Sequence, residues 1–158
     1  MRKHLFLILI FFFIGYSCSA QRFSVKVVGI SDGDTFTVIN RDNLQLKIRI
    51  NGIDAPEKRQ AYGNKAREYL SSLIFGKQID VDVQKQDKWG RYIAIVYTPD
   101  GSDVALLMLK AGYAWQYVQY DTSQLYYNAQ NMARSQKLGL WADSYPIAPW
   151  DFRSSGKK

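Results

Sequence analysis

The sequence predicts a single α+β domain built on a small barrel of five short strands, and three observations carry that expectation. At 158 residues and 18.2 kDa the chain has room for one domain and not two. Its residues are 47% hydrophobic and 22% charged, a balance that suits a core-forming globule rather than a disordered chain. Beyond residue 20, apolar positions alternate with period two and then give way to one helical stretch before the alternation returns.

The elements follow in order. Phe23, Val25 and Val27 share one face of a first strand, and residues 35–39 form a second. Arg41-Asp42-Asn43 is a hairpin turn, after which Leu44, Leu46, Ile48 and Ile50 alternate with Gln45, Lys47, Arg49 and Asn51. That third strand is expected to bury its four aliphatics and to present Arg49 on its polar face. Tyr62, Ala66, Tyr69, Leu70 and Leu73 then fall at helical spacing, ending before Gly76. Ile79, Val81 and Val83 mark a fourth strand with Asp80 and Asp82 outward, and residues 92–97 a fifth. Ser102 reads as the N-cap of a short apolar helix that stops at Gly112. A last helix is expected from Ser123 to about Lys137, with Leu125, Ala129, Met132 and Ala133 inward, and Pro146 and Pro149 give residues 146–158 as an extended tail. Five short strands with a helix between the third and fourth are the layout of an OB-type (oligonucleotide/oligosaccharide-binding) barrel. An α+β sandwich fits the same pattern.

Residues 1–20 read as a targeting segment, leaving 21–145 as the folded domain. Arg2 and Lys3 precede an uninterrupted apolar run of ten, Leu5 to Ile14, and small residues follow at Gly15, Ser17, Ser19 and Ala20. Ten residues at ~1.5 Å each cover about half of a ~30 Å hydrocarbon core, so a secretory signal cleaved after Ala20 is expected rather than a membrane span. The protein is therefore expected to be exported, periplasmic or secreted. Lipid attachment at Cys18 is the alternative outcome, and without it no membrane partner is expected.

The chain carries 21 Lys plus Arg against 14 Asp plus Glu, and its formal charge of +7 favours a polyanionic partner. The single His, His4, and the single Cys, Cys18, both lie within the leader. Residues 21–158 therefore contain no Ser-His-Asp or Cys-His nucleophilic system and no zinc or copper site of His and Cys ligands. Chemistry there must use carboxylates, Arg, Lys, Tyr or hydroxyls, and a metal must be a hard, oxygen-preferring one.

Three clusters offer such chemistry: Asp32-Gly33-Asp34-Thr35, then Arg49 with Asp54 and Glu57, then Asp87-Lys88-Trp89-Gly90-Arg91. If the strands pair as a meander, these turns converge on one end of the barrel. Each has a plain structural reading. Asp-Gly is a common turn former, Asp54 and Glu57 suit the start of the helix that follows, and a strand Arg is usually solvated. Taken together they suit phosphodiester hydrolysis. Carboxylates hold a hard cation, two guanidiniums clamp phosphate oxygens, and a further carboxylate handles the attacking water.

With these pieces in view, the sequence resembles the thermonuclease (staphylococcal nuclease-like) family. The matching motifs are S-D-G-D-T at 31–35, R-I-N-G-I-D-A-P-E at 49–57, Q-A-Y-G-N-K-A at 60–66 and D-K-W-G-R at 87–91. G-Y-A-W at 112–115, K-L-G-L-W at 137–141 and P-W-D-F-R at 149–153 extend it over about residues 22–153. The resemblance implies a five-stranded OB-type barrel with about three helices, and Ca²⁺-dependent cleavage of DNA and RNA to 3′-phosphate products. It implies Asp34, Asp54 and the Ala55 carbonyl as Ca²⁺ ligands, with Asp32 acting through the ion's water. Arg49 and Arg91 match the phosphate-binding arginines, and Glu57 the acid that positions or deprotonates water. Lys88, Trp89, Tyr117 and Tyr120 are expected against the substrate. Trp89 replaces a Tyr of the family pattern, and the segment from Glu57 to Tyr62 is shorter than the corresponding family loop. Trp141 and Trp150 are expected to pack, and a monomer is the default. The alternative from another class is an OB-type nucleic-acid-binding module without catalysis. Such a module has no need of Asp34, Asp54, Glu57, Arg49 and Arg91 in concert.

Overall fold

The expected alternation closes into a barrel. In the computed structural model, which describes residues 22–156, strands β1 (Arg22–Ile30), β2 (Thr35–Ile39), β3 (Gln45–Ile50), β5 (Gln78–Gln86) and β6 (Tyr92–Tyr97) join in the order β1-β2-β3-β6-β5. The antiparallel pairing of β1 with β5 seals the ring, so no barrel edge is left open. Alternate residues point inward, and Val27, Phe36, Val38, Ile48, Ile50, Val81, Ala94 and Val96 form a dry interior. The leader expected over residues 1–20, and Cys18 with it, lies outside the described residues. Among those described, no helix is long and apolar enough to cross a membrane.

The strands do not form a plain meander. β3 pairs parallel to β6, with Arg49 beside Ile93, because the chain leaves β3 through a two-residue strand β4 (Ile53–Asp54) and helix α1 (Gly63–Ile74) before β5 begins. β4 pairs instead with β7 (Trp115–Gln116) outside the barrel. Helices α2 (Val104–Lys110) and α3 (Gln124–Ser135) pack on each other, and a 3₁₀ turn (Gly139–Ala142) and α4 (Pro149–Ser154) complete the chain. Among the described residues the architecture is thus a closed five-stranded barrel of the OB type with four α-helices, where about three were expected.

Several local expectations are corrected. Leu44 sits exposed in the hairpin, because the Asn40 side chain accepts from the backbone N–H groups of Asp42 and Leu44 and the strand starts only at Gln45. Leu46 is half-buried, so β3 buries two aliphatics fully and not four. Asp82 is buried where β1 begins across from it, its register partner being Arg22, while Asp80 faces outward as expected. Asp103, not Ser102, caps α2, accepting from Leu106 N at 3.2 Å. Ser102 is spent in the preceding turn, its N–H donating to Thr98 Oγ1.

On α3 the buried stripe is Tyr126, Ala129 and Ala133, with Leu125 and Met132 exposed. One residue is a rotation of about 100° on a helix, and the stripe divides between two clusters, Tyr126 and Ala129 joining the main core and Ala133 packing with Leu140 and Trp141. The segment expected as an extended tail contains α4, since Pro149 occupies the first turn, where a missing N–H costs nothing.

Candidate active site

One end of the barrel opens into a cleft of about 880 Å³ whose walls include all three of the clusters read from the sequence. The β1–β2 turn is closed by Asp32, whose Oδ1 accepts from the N–H groups of Asp34 (3.1 Å) and Thr35 (2.8 Å). Gly33 is needed at its tip. A Cβ there would stand 2.7 Å from the Ala55 Cβ and 2.8 Å from the Ala66 Cβ, so only glycine lets this turn press against the segment after β4 and against α1.

That close approach joins the first two clusters. Ala55 N donates to Asp34 Oδ2 at 3.0 Å, and Thr35 Oγ1 donates to Asp34 Oδ1 at 2.9 Å. Arg49, opposite Thr35 across β2 and β3, sends Nη2 to Asp54 Oδ1 (2.7 Å) and to Asp34 Oδ2 (3.3 Å), while Nη1 donates to the Ile53 carbonyl (3.2 Å). Two carboxylates, 6% and 1% exposed, thus share a single guanidinium nitrogen. Burial raises the Asp54 carboxyl above its ordinary value, and the nearby Asp34 charge adds to this against the pull of Arg153 and Arg49. Burial, again reinforced by Asp34, pushes Asp32 up to about 7. The pocket therefore holds more negative charge than it comfortably ionises.

The third cluster lines the same cleft. Arg91 enters at the foot of β6, and its Nε donates to Asp87 Oδ2 at 2.8 Å. Trp89 protrudes at the lip, 69% exposed, with the Lys88 ammonium 4.6 Å and the Arg91 guanidinium 5.1 Å from its ring centroid. Tyr117 and Tyr120 meet edge to face at 4.8 Å and also line the cleft; Lys85 lies 4.9 Å over the Tyr120 ring. Tyr117 is committed on its other side, stacked on Trp150 at 5.4 Å and 10°. Trp141 is buried against Trp115, so Trp141 and Trp150 both pack as expected.

Glu57 lines the same cleft and opens the turn that leads into α1, its carbonyl accepting from Gln60 N at 2.8 Å. Gly63 makes that turn fit, because a Cβ there would lie 2.0 Å from the Glu57 carbonyl oxygen. Arg153 of α4 reaches in from the far end of the chain, and sequence reasoning gave it no role. Its Nη1 donates to Glu57 Oε1 at 2.7 Å, and its Nη2 to Asp54 Oδ2 at 2.7 Å. Asp87 and Gln60 stood in the motifs read from the sequence but without a role of their own, although the four-residue spacing of Asp87 and Arg91 within one turn was a readable signal.

The oxygens of Asp34 and Asp54, the neighbouring Ala55 carbonyl and Asp32 make a donor set suited to a hard cation and to no soft one. Crowded negative charge, expressed in the raised Asp32 and Asp54, is what a divalent ion would relieve, so these residues fit such an ion. Among the described residues, however, no three of His, Cys, Asp or Glu converge as a ready-made cage. Arg49 and Arg153 neutralise the carboxylates as they stand.

Residues 47–143 match the family described as Staphylococcal nuclease homologue. The chain is 39% identical over 150 residues to an uncharacterized endonuclease of Haemophilus influenzae, covering 95% of this chain and 84% of that protein. It is 40% identical to an uncharacterized endonuclease of Escherichia coli O157:H7, over 97% of this chain and 98% of the other. To a micrococcal nuclease of Shigella flexneri it is 36% identical, covering 85% of this chain and 83% of that one.

Proposed function

The chain belongs to the staphylococcal nuclease homologue family, and on that premise we propose that it is a Ca²⁺-dependent, sugar-nonspecific nuclease acting on DNA and RNA. The observation that carries this reading is the convergence of Arg49, Arg91, Asp34, Asp54 and Glu57 on one cleft. The basic sequence, +7 overall, and the exposed Trp89 suit a polyanionic substrate with stackable bases.

In the proposed mechanism a phosphodiester lies in the cleft with Arg49 and Arg91 on its non-bridging oxygens. The two guanidiniums bind most tightly as phosphorus becomes pentacoordinate and gains charge, which is where binding accelerates the reaction. Asp34, Asp54 and the Ala55 carbonyl would hold Ca²⁺, with Asp32 acting through its water, and the ion would supply positive charge against the charge the phosphate gains. Glu57 orients the attacking water and accepts its proton as the new P–O bond forms. The P–O5′ bond breaks, the 5′-oxygen takes a proton from solvent, and the products are a 3′-phosphate and a 5′-hydroxyl. Lys88, Trp89 and Tyr120 flank the nucleotides, while Tyr117 serves mainly as the platform for Trp150.

Glu57→Gln tests this reading directly. Turnover should fall by about 10²–10⁴-fold while DNA affinity and melting temperature stay near those of the parent. Near-normal turnover would remove Glu57 from the chemistry. If the parent protein binds DNA but never cleaves it, the protein is instead an inert binding module of the same fold.

We further propose that the protein acts as a monomer after export through the leader at residues 1–20, with cleavage following Ala20. An intact mass of the exported protein starting at Gln21 supports this, whereas a lipidated Cys18 at the N-terminus contradicts it.

A further inference from the structure

The proposed reaction gives no role to the guanidinium of Arg153, although it lines the cleft and touches two of the acids the reaction uses. Resting on the nuclease reading, we propose that Arg153 is a positioning residue that holds the Glu57 carboxylate beside Asp54 and so aims it at the water it must deprotonate.

The geometry is that of a clamp between two acids. Nη1 of Arg153 donates to Glu57 Oε1 at 2.7 Å and to Asp54 Oδ1 at 3.3 Å, and Nη2 donates to Asp54 Oδ2 at 2.7 Å. Asp54 is 1% exposed and is fixed on its other side by Arg49, so it is an anchored point. Glu57 is partly exposed, with 38% of its side chain open to solvent. A carboxylate on that flexible stem needs an anchor to keep one direction, and a planar fork that reaches both acids provides it. With both terminal nitrogens spent on three carboxylate oxygens, Arg153 has no free fork for a phosphate. That separates it from Arg91, whose bond to Asp87 is made through Nε and not through the terminal fork.

The rest of the C-terminal segment is built to deliver this residue. Trp150, three positions earlier, stacks on Tyr117 and meets Trp115 edge-on at 5.7 Å, which docks α4 on the wall of the cleft. Gln60 ties Glu57 to the same segment at Ile147. Its Nε2 donates to the Ile147 carbonyl at 2.7 Å, and its Oε1 accepts from Glu57 N at 3.0 Å. Glu57 is therefore held from the C-terminal segment twice, by its backbone through Gln60 and by its side chain through Arg153.

The test is a double-mutant cycle on the full-length protein cleaving a defined single-stranded DNA in Ca²⁺, with Arg153→Gln, Glu57→Gln and the pair. Arg153→Gln should lower kcat about 10²-fold, the scale on which misplacing a reacting group acts, with KM near the parental value. The pair should lose little more than Glu57→Gln alone, because the arginine has nothing left to aim. Losses that multiply would overturn the proposal, as would a rise in KM with kcat preserved, which marks a substrate ligand. A faster Arg153→Gln enzyme with tighter Ca²⁺ binding by calorimetry would overturn it too, by making Arg153 a competitor of the cation. Should Arg153→Gln fail to fold, Arg153→Lys takes its place. A Lys reaches one acid at a time and should give an intermediate kcat, and full activity in that variant would contradict the clamp. A parental protein that does not cleave sinks the nuclease reading itself, whereas a cleaving parent matched by Arg153→Gln sinks only this inference.

Discussion

Arg91 Nε donates to Asp87 Oδ2 at 2.8 Å, so the guanidinium at the foot of β6 is aimed by a carboxylate from its own turn. The other oxygen of Asp87 accepts from the N–H groups of Trp89 (2.9 Å) and Arg91 (3.0 Å), which makes this residue the keystone of the β5–β6 turn. Asp87→Asn keeps an oxygen for the backbone and removes the charge that orients Arg91. We expect kcat/KM to fall by up to about 10²-fold without loss of fold. Unchanged kinetics would show that Arg91 aims itself.

Asp32 gives the site a pH signature in stability. Burial, with the Asp34 charge beside it, raises its carboxyl from 3.8 to about 7 in the folded protein. Across that window the native state keeps a proton that the unfolded chain has released, so this stabilisation is full at the acid end and is lost as pH rises. In chelator, Asp32→Asn should gain melting temperature relative to the parent between about pH 5 and pH 8. Its amide oxygen still closes the turn to Asp34 and Thr35. Parallel melting curves across that range would contradict the account.

Ca²⁺ binding is expected to depend on Asp34. Asp34→Asn retains an acceptor for Ala55 N but halves the paired charge of Asp34 and Asp54. Titration calorimetry should show affinity reduced at least as much as loss of an indirect ligand support, about 10–100-fold. Equal affinity in both proteins would move the ion elsewhere.

Trp89 offers its exposed ring as a stacking surface backed by Lys88 and Arg91. Removing one base–aromatic stack costs about 1–3 kcal/mol, so Trp89→Ala should raise KM on single-stranded substrate while kcat holds. A change confined to kcat would place the ring nearer the reacting phosphate.

Much of this was legible in the linear sequence because it rests on short-range pattern. Period-two alternation located the barrel strands, and the turn motifs at residues 32–35, 54–57 and 87–91 carried the groups that meet in the cleft. What escaped depended on context that no local pattern encodes. Leu125 and Met132 share the expected inner face of α3 with Ala129 and Ala133, yet the two alanines are buried with Tyr126 while Leu125 and Met132 stay exposed. Pro149 reads as a helix breaker but here starts α4. Arg153 meets Glu57 across 96 residues of chain, so nothing near either residue announces the pair.

The most direct test of the central claim is digestion of linear DNA and total RNA by the purified protein in millimolar Ca²⁺, repeated with excess chelator. The account predicts that both substrates are cut, that the products carry 3′-phosphates, and that chelation abolishes cleavage. Cutting that persists in chelator, or a folded protein that binds both nucleic acids and cuts neither, would contradict it.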